Sequence, residues 1–315
     1  MPQLTYDEVK SAAARIAGQV RPVSLAPADP DPTGARVWFA CEFMQHTGTF
    51  KARGAANFTA AHKEAGTMPE AGVVIASGGN AGIACAWAAA RHHVPANVFL
   101  PQTSPAVKVA GLRALGAQVH QVGTEYSEAL EASRGYAART GALESHAYDH
   151  PLIAAGAGTL LEEVAAALPA VDTVVVAAGG GGLFAGTAAA ADHRGIRTVV
   201  VEPEHSRALN AALRSGAPVP VEVRSVAADA LGARLVSQAA LDWARHPGTR
   251  SVLVPDDAIV DARQHLWDAY RIAVEPAGAT ALAALRSGAY SPAPGETVCV
   301  VLCGANTDPG DLVRR

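Results

Sequence analysis

Lys51 stands in the run Thr49-Phe50-Lys51-Ala52-Arg53-Gly54-Ala55, between an aromatic residue and small residues at the start of a predicted helix. Desolvation lowers an amine's pKa and makes it a nucleophile toward carbonyls, the chemistry of a lysine that holds a carbonyl compound covalently. Taken alone, the run also fits the solvated first turn of an ordinary helix. A second element, Gly179-Gly180-Gly181-Gly182, follows Val174-Val175-Val176-Ala177-Ala178 and precedes Leu183-Phe184-Ala185-Gly186. This pattern reads as strand, glycine loop and helix, with backbone N–H groups free to converge on a phosphate at a helix N-terminus. A turn without a ligand needs fewer glycines, although the run matches neither common nucleotide-binding fingerprint. A third element, Ser77-Gly78-Gly79-Asn80-Ala81-Gly82, again joins an apolar run, Val73 to Ala76, to a helical segment. Ser77 and the amides behind it can hold a carboxylate and Asn80 offers an amide to an oxygen acceptor, while a simple helix cap by either residue is the alternative.

The elements that must position these residues alternate along the chain. Apolar runs at 37–40, 73–76, 97–100, 117–122, 174–178, 198–201 and 297–302 are separated by alanine-rich helical stretches. Such alternation predicts an α/β architecture with largely parallel, buried strands. Thr5-Tyr6-Asp7-Glu8 has the spacing of a capping box, opening a helix with Val9, Ala13, Ile16 and Val20 on one side. The proline-rich stretches 22–32 and 291–295 read as surface connections.

Composition sets outer limits. A chain of 315 residues, half hydrophobic and only 17% charged, can bury a core large enough for two lobes. A net charge of −4 and the lack of any Lys/Arg cluster argue against nucleic acid as a partner. Cys41, Cys85, Cys299 and Cys303 form no CxxC pair and read as free thiols of a reducing, cytoplasmic compartment. No signal peptide or membrane span is evident, so neither export nor a membrane partner is expected.

In this order, Phe50-Lys51-Ala52-Arg53-Gly54-Ala55, Ser77-Gly78-Gly79-Asn80, the four glycines and Val301-Leu302-Cys303-Gly304 resemble the fold-type II pyridoxal-phosphate enzymes, closest to the serine/threonine dehydratase (ammonia-lyase) branch. Gln45-His46-Thr47-Gly48, Gly156-Ala157-Gly158-Thr159, Val201-Glu202-Pro203 and Val274-Glu275-Pro276-Ala277-Gly278-Ala279 extend the resemblance over nearly the whole chain. It implies a tryptophan synthase β-like fold: two open, parallel-type α/β lobes with the cofactor in the cleft between them. Residues 1–45 and 140–315 would form the large lobe and 46–139 the small inserted one. With twelve residues after Cys303, no C-terminal regulatory domain is expected.

The resemblance also implies roles. Lys51 would carry pyridoxal 5'-phosphate on its amine, with Phe50 beside it, and act as the base at the α-carbon. The amides of Gly179, Gly180, Gly181, Gly182 and Leu183 would hold the phosphate, Asn80 the ring 3-hydroxyl oxygen, and Cys303 would face the pyridine nitrogen. A neutral thiol there weakens the ring as an electron sink and favours prompt loss of a β-leaving group. Against that role, Cys299, Val301 and Cys303 alternate as a buried strand would. Ser77, Gly78, Gly79 and Asn80 would bind the substrate carboxylate, and the cofactor's phosphate would protonate the leaving hydroxyl. Glu202 and the Ser206 carbonyl match a site for a monovalent cation such as K+, with a solvated or salt-bridged Glu202 as the alternative. Glu275 fits either the cofactor's edge or a structural turn, and His46 a loop position.

The expected activity is therefore that of an L-serine/L-threonine ammonia-lyase, eliminating the β-hydroxyl of a small hydroxy amino acid to give a 2-oxo acid and ammonia, in a homodimer. Three alternatives use the same scaffold: a 3-hydroxyaspartate substrate, serine racemisation and β-replacement. Gly78 weighs against racemisation, because related racemases carry a proton-donating serine there. A noncatalytic phosphate-ligand-binding protein would leave Lys51 without a purpose.

Overall fold

The computed structural model describes residues 4–313; the outermost residues of the expected large lobe, 1–3 and 314–315, lie outside the described residues. The chain runs through α1 (Tyr6–Ile16), β1 (Leu25–Pro27), β2 (Arg36–Ala40), α2 (Lys51–Glu64), β3 (Val73–Ala76), α3 (Asn80–Arg91), β4 (Ala96–Leu100), α4 (Ala106–Ala114), β5 (Gln118–Gln121), α5 (Tyr126–Thr140) and β6 (Leu143–Glu144). It continues through α6 (Pro151–Ala167), β7 (Thr173–Ala177), α7 (Gly182–His193), β8 (Arg197–Pro203), α8 (Ala208–Ser215), α9 (Ala228–Leu231), α10 (Gln238–Ala244), β9 (Thr249–Val254), α11 (Asp256–Tyr270), α12 (Pro276–Arg286) and β10 (Thr297–Val301). Among the described residues no helix is long and apolar enough to cross a membrane.

Two sheets organise these elements. Six strands lie in the order β1-β2-β10-β7-β8-β9 and four in the order β5-β4-β3-β6. Every pairing is parallel except β1 with β2. The central strands β7, β10, β3 and β4 are buried along their whole length, as continuous Val/Ile-rich runs between two helical layers must be. Three strands depart from the sequence reading. β1 falls inside the proline-rich stretch 22–32, where a three-residue antiparallel edge strand leaves little apolar signal. β9 is an edge strand whose Arg250 and Ser251 interrupt the apolar run. β6 carries the small sheet to Glu144, past the expected boundary at 139, because Leu143 pairs with Val73.

The capping box at Thr5 forms, with Glu8 carboxylate and Thr5 hydroxyl each accepting from the other's backbone. α1 stops at Ile16, however, and buries Val9, Ala12 and Ile16, so Val20 lies beyond the helix and Ala13 is turned partly outward.

The helices under the site pack at unusually short range, and glycines allow it. A Cβ at Gly158 would lie 2.4 Å from the Gly186 carbonyl oxygen, and one at Gly186 would lie 2.0 Å from that of Ala154, so α6 and α7 touch backbone to backbone. Gly156 meets the Arg53 carbonyl in the same way at 2.7 Å, drawing α2 onto α6. The Gly156-Ala157-Gly158 stretch is thus a packing device on α6 that seats the lysine-bearing helix on one side and the helix of the glycine loop on the other.

Candidate active site

Lys51 is the first residue of α2 and is partly buried. Its Nζ donates to the Ala147 carbonyl at 2.7 Å and lies 5.0 Å from the centroid of the Phe50 ring. Burial pulls its pKa down to about 8, with Cys303 and Glu275 opposing the fall. An amine so placed gives up its proton near neutrality and then presents a lone pair. The solvated-first-turn alternative fails, since Ala52, Arg53, Gly54 and Ala55 are all buried. Arg53 lies between Glu42 and Glu163, at 2.8 Å from each.

The glycine loop follows β7 as expected. Gly181 is the N-cap of α7 at φ +92°, a conformation that L side chains rarely adopt. A Cβ on it would lie 2.3 Å from Ala240 Cβ, and one on Gly180 would lie 2.3 Å from ring carbons of Tyr148. The loop therefore has room for backbone alone, and the first amides of α7 stand at the positive end of a helix. Phe50, Lys51, Ala147, Tyr148, Gly182 and Leu183 line one narrow cavity, so the amine and the helix N-terminus share a space.

Because β10 is the parallel neighbour of β7, Cys303, two residues past β10, emerges at the same sheet edge as the glycine loop. Cys303 is buried and its thiol donates to the Ala277 carbonyl at 3.5 Å. Burial, reinforced by Glu275, pushes the thiol well above its ordinary pKa, so it is a neutral group. Cys303 is thus a buried, neutral thiol at the carboxyl edge of the large sheet.

Ser77 to Asn80 form the turn from β3 into α3, at the carboxyl edge of the small sheet. Ser77 Oγ accepts the Gly79 N–H at 3.3 Å and all four residues are partly buried. Gly79 is the N-cap and receives no side-chain cap, so neither Ser77 nor Asn80 serves as the simple helix cap of the alternative reading. Asn80 reaches across to Glu275, donating from Nδ2 to Oε1 at 2.9 Å and Oε2 at 3.2 Å. Burial raises the Glu275 pKa against the Asn80 hydrogen bond, which lowers it.

Glu202 is fully buried and its two oxygens accept the N–H groups of Leu209 and Asn210 at 2.7 and 2.8 Å. It is the next-to-last residue of β8 and satisfies two first-turn N–H groups of α8, and burial lifts its pKa to about 7 while those two amides pull it down. Ser206 Oγ donates to the Leu231 carbonyl at 2.6 Å. Among the described residues no group of three or more His, Cys, Asp or Glu side chains could hold a metal ion. The hydrogen bonds at Glu202 account for its burial without a cation. His46 stacks on Trp87, with ring centroids 4.9 Å apart, in the role of a packed loop residue.

Three groups were not singled out as site residues from sequence. Ala147 supplies the carbonyl that receives Lys51, Tyr148 covers the glycine loop and donates its hydroxyl to the Leu235 carbonyl, and Asn306 donates to Asn80. The signal available for the first two was the run Ser145-His146-Ala147-Tyr148-Asp149-His150 ahead of Pro151, which opens α6.

A desolvated lysine sharing a cavity with a helix N-terminus that has no side-chain cap, in a fold of two largely parallel sheets, suits an enzyme that holds pyridoxal phosphate. The residues fit that group: an amine for its aldehyde, backbone amides for its phosphate and a neutral thiol at the far edge. The chain belongs to the family of pyridoxal-phosphate dependent enzymes, which it matches over residues 16–304, and within it to the serine/threonine dehydratases. It is 36% identical over 310 residues to an L-threonine ammonia-lyase of Geobacter sulfurreducens, covering 97% of this chain and 76% of that one. It is 34% identical over 285 residues to a human serine dehydratase-like protein, covering 87% of this chain and 86% of that one. The solved structure of maize serine racemase superimposes with a TM-score of 0.90 at 29% identity, covering 99% of this chain and 96% of that one.

Proposed function

We propose that the protein is an L-serine/L-threonine ammonia-lyase. The observation that carries this reading is the Lys51 amine, lowered to about 8 by burial and sharing its cavity with the N-terminus of α7. When bound, pyridoxal phosphate supplies an electron-withdrawing ring that acidifies the α-C–H of an amino acid joined to it. Lys51 then serves as the base at that carbon, an assignment supported by a pKa close to the working pH. The amides of Gly179 to Leu183 hold the phosphate, and Asn80 meets the 3-hydroxyl oxygen. Ser77, Gly78 and Gly79, at the N-terminus of α3, receive the substrate carboxylate. Cys303 would offer the ring nitrogen a neutral hydrogen-bonding group rather than a carboxylate; Lys51 would hold the α-proton, and the β-hydroxyl would leave as water with a proton from the cofactor's phosphate. The unsaturated amine left behind is hydrolysed to a 2-oxo acid and ammonia.

Racemisation is the second reading, favoured by the likeness to maize serine racemase. It requires a proton donor on the face opposite Lys51, and Gly78 has none. Packing does not force a glycine there: a Cβ would meet Leu100 and Ser104 only at ordinary contact distances of 3.7 Å and beyond. The missing hydroxyl therefore supports elimination over racemisation. A 3-hydroxyaspartate substrate and β-replacement use the same Lys51 and the same cradle, and the substrate assay below separates them. The two-lobe division, a homodimer, a cytoplasmic location and a monovalent cation at Glu202 and the Ser206 carbonyl belong to the proposal on the strength of the resemblance; the four buried free thiols are in keeping with the cytoplasm.

The test is release of 2-oxo acid and ammonia from L-serine, L-threonine and L-threo-3-hydroxyaspartate by the pyridoxal-phosphate-loaded protein, with Lys51→Ala as control. Turnover of serine or threonine that vanishes in the variant is expected. A loaded protein that releases no oxo acid from any of the three would sink the lyase reading.

A further inference from the structure

Asn80 is held from two sides by residues of the other lobe. Glu275, the N-cap of α12, accepts from its Nδ2 at 2.9 Å, and Asn306, in the turn after β10, donates to its Oδ1 at 2.9 Å. Asn306 also donates from the same Nδ2 to the Thr47 carbonyl, at 2.8 Å. A backbone carbonyl only accepts, so the Thr47 contact fixes which end of Asn306 is the amide nitrogen. Asn306 must then present a donor to Asn80, whose oxygen faces it and whose nitrogen faces the Glu275 carboxylate. Two acceptors at the ends of the chain thus impose one orientation on both carboxamides. The two oxygens of the one Glu275 carboxylate, at 2.9 and 3.2 Å from Asn80 Nδ2, lie too close together to take both of its diverging hydrogens, so they share one and the clamp leaves the second uncommitted.

The Asn306 jaw is itself built in. Thr47 and Gly48 both have left-handed backbones, at φ +67° and +74°, and a Cβ on Gly48 would lie 2.5 Å from Asn306 Oδ1. The Ala305 N–H donates to the Gly48 carbonyl at 3.0 Å, and Thr49 bridges to Gly304. The loop that leads into Lys51 and the turn that carries Asn306 are therefore one hydrogen-bonded unit, which grips a residue of the small-sheet helix α3.

We propose that Asn306 is a positioning residue that acts through Asn80, fixing the flip of its carboxamide so that its free N–H meets the cofactor ring. This rests on the reading that Asn80 contacts bound pyridoxal phosphate. Asn306→Asp replaces the donor by an acceptor facing both the Thr47 carbonyl and Asn80 Oδ1, and expels or flips the Asn80 amide.

The experiment compares wild type, Asn306→Asp, Asn306→Ala, Asn80→Ala and Asn80→Ala/Asn306→Asp. It reads the visible absorption and circular dichroism of bound pyridoxal phosphate, its dissociation constant and the melting temperature of the cofactor-free protein. Asn306→Asp is expected to shift the cofactor band and weaken cofactor binding about tenfold, the size of one lost hydrogen bond. Asn306→Ala should do the same more weakly, with the cofactor-free melting temperature little changed. In the double variant the Asp substitution should add nothing to Asn80→Ala. A wild-type band and affinity in Asn306→Asp, or effects that add in the double variant, would overturn the proposal while leaving the role of Asn80 standing. Asn80→Ala with a wild-type band and affinity would overturn that underlying role, and the proposal with it.

Discussion

Helix α2 opens with two cations two residues apart and treats them in opposite ways. Arg53 is fully buried and saturated: it donates to both oxygens of Glu42 and both of Glu163, and to Thr159. Burial by itself would lower its pKa, yet the two carboxylates hold it above the ordinary arginine value. Lys51 has one carbonyl and the face of an aromatic ring, and among the described residues it makes no salt bridge. A guanidinium cannot shed its proton, so its burial has to be matched by opposite charge. An amine can shed its proton, and withholding a carboxylate is what makes it do so. The structural cation is recognised by its partners and the candidate nucleophile by their scarcity.

Three measurements break or sharpen this contrast. Arg53→Met leaves Glu42 and Glu163 without their partner, and is expected to cost about 3–5 kcal/mol in urea unfolding. A cost below 1 kcal/mol would show the pair to be dispensable. Next in size is the pH dependence of cofactor uptake. Only the neutral amine attacks the aldehyde of pyridoxal phosphate, so the rate of uptake by cofactor-free protein should rise about tenfold per pH unit up to about 8 and then level off. A profile still climbing at pH 10 would mean that Lys51 is not desolvated. The smallest effect is expected from Lys51→Met, which removes an amine that burial already disfavours. Cofactor-free stability should change by less than about 1 kcal/mol in urea unfolding, or rise; a loss matching that of Arg53→Met would erase the distinction.

Much of the site was legible because its parts are local. A strand, a short glycine loop and a helix are consecutive in sequence at Val174 to Ala191 and at Val73 to Arg91, and period and glycine content mark both. Lys51 was legible through its neighbours, with Phe50 and the small residues after it. Glu275 was visible but ambiguous, and Asn306 had no local mark, since its partners Thr47 and Asn80 are 259 and 226 residues away. The edge strands β1 and β9 were missed for another reason: half-exposed strands are not obliged to be apolar, and the reading looked for continuous apolar runs. β6 is two residues long and exists only through its pairing with β3.

By itself the sequence determined the candidates for the chemistry, because an amine, a run of glycines and a helix start are properties of short segments. It also determined the alternation that makes an α/β fold. Only the tertiary structure decided that Lys51 makes no ion pair among the described residues while Arg53 lies between two carboxylates, since both face inward from one helix turn and differ in what α6 and the 42–44 segment bring to them. It alone decided that Tyr148 covers the glycine loop and that Asn80 is gripped from the opposite lobe. Those contacts join segments distant in the chain, and their geometry is set by backbone packing at Gly156, Gly158 and Gly186 rather than by any residue of the site.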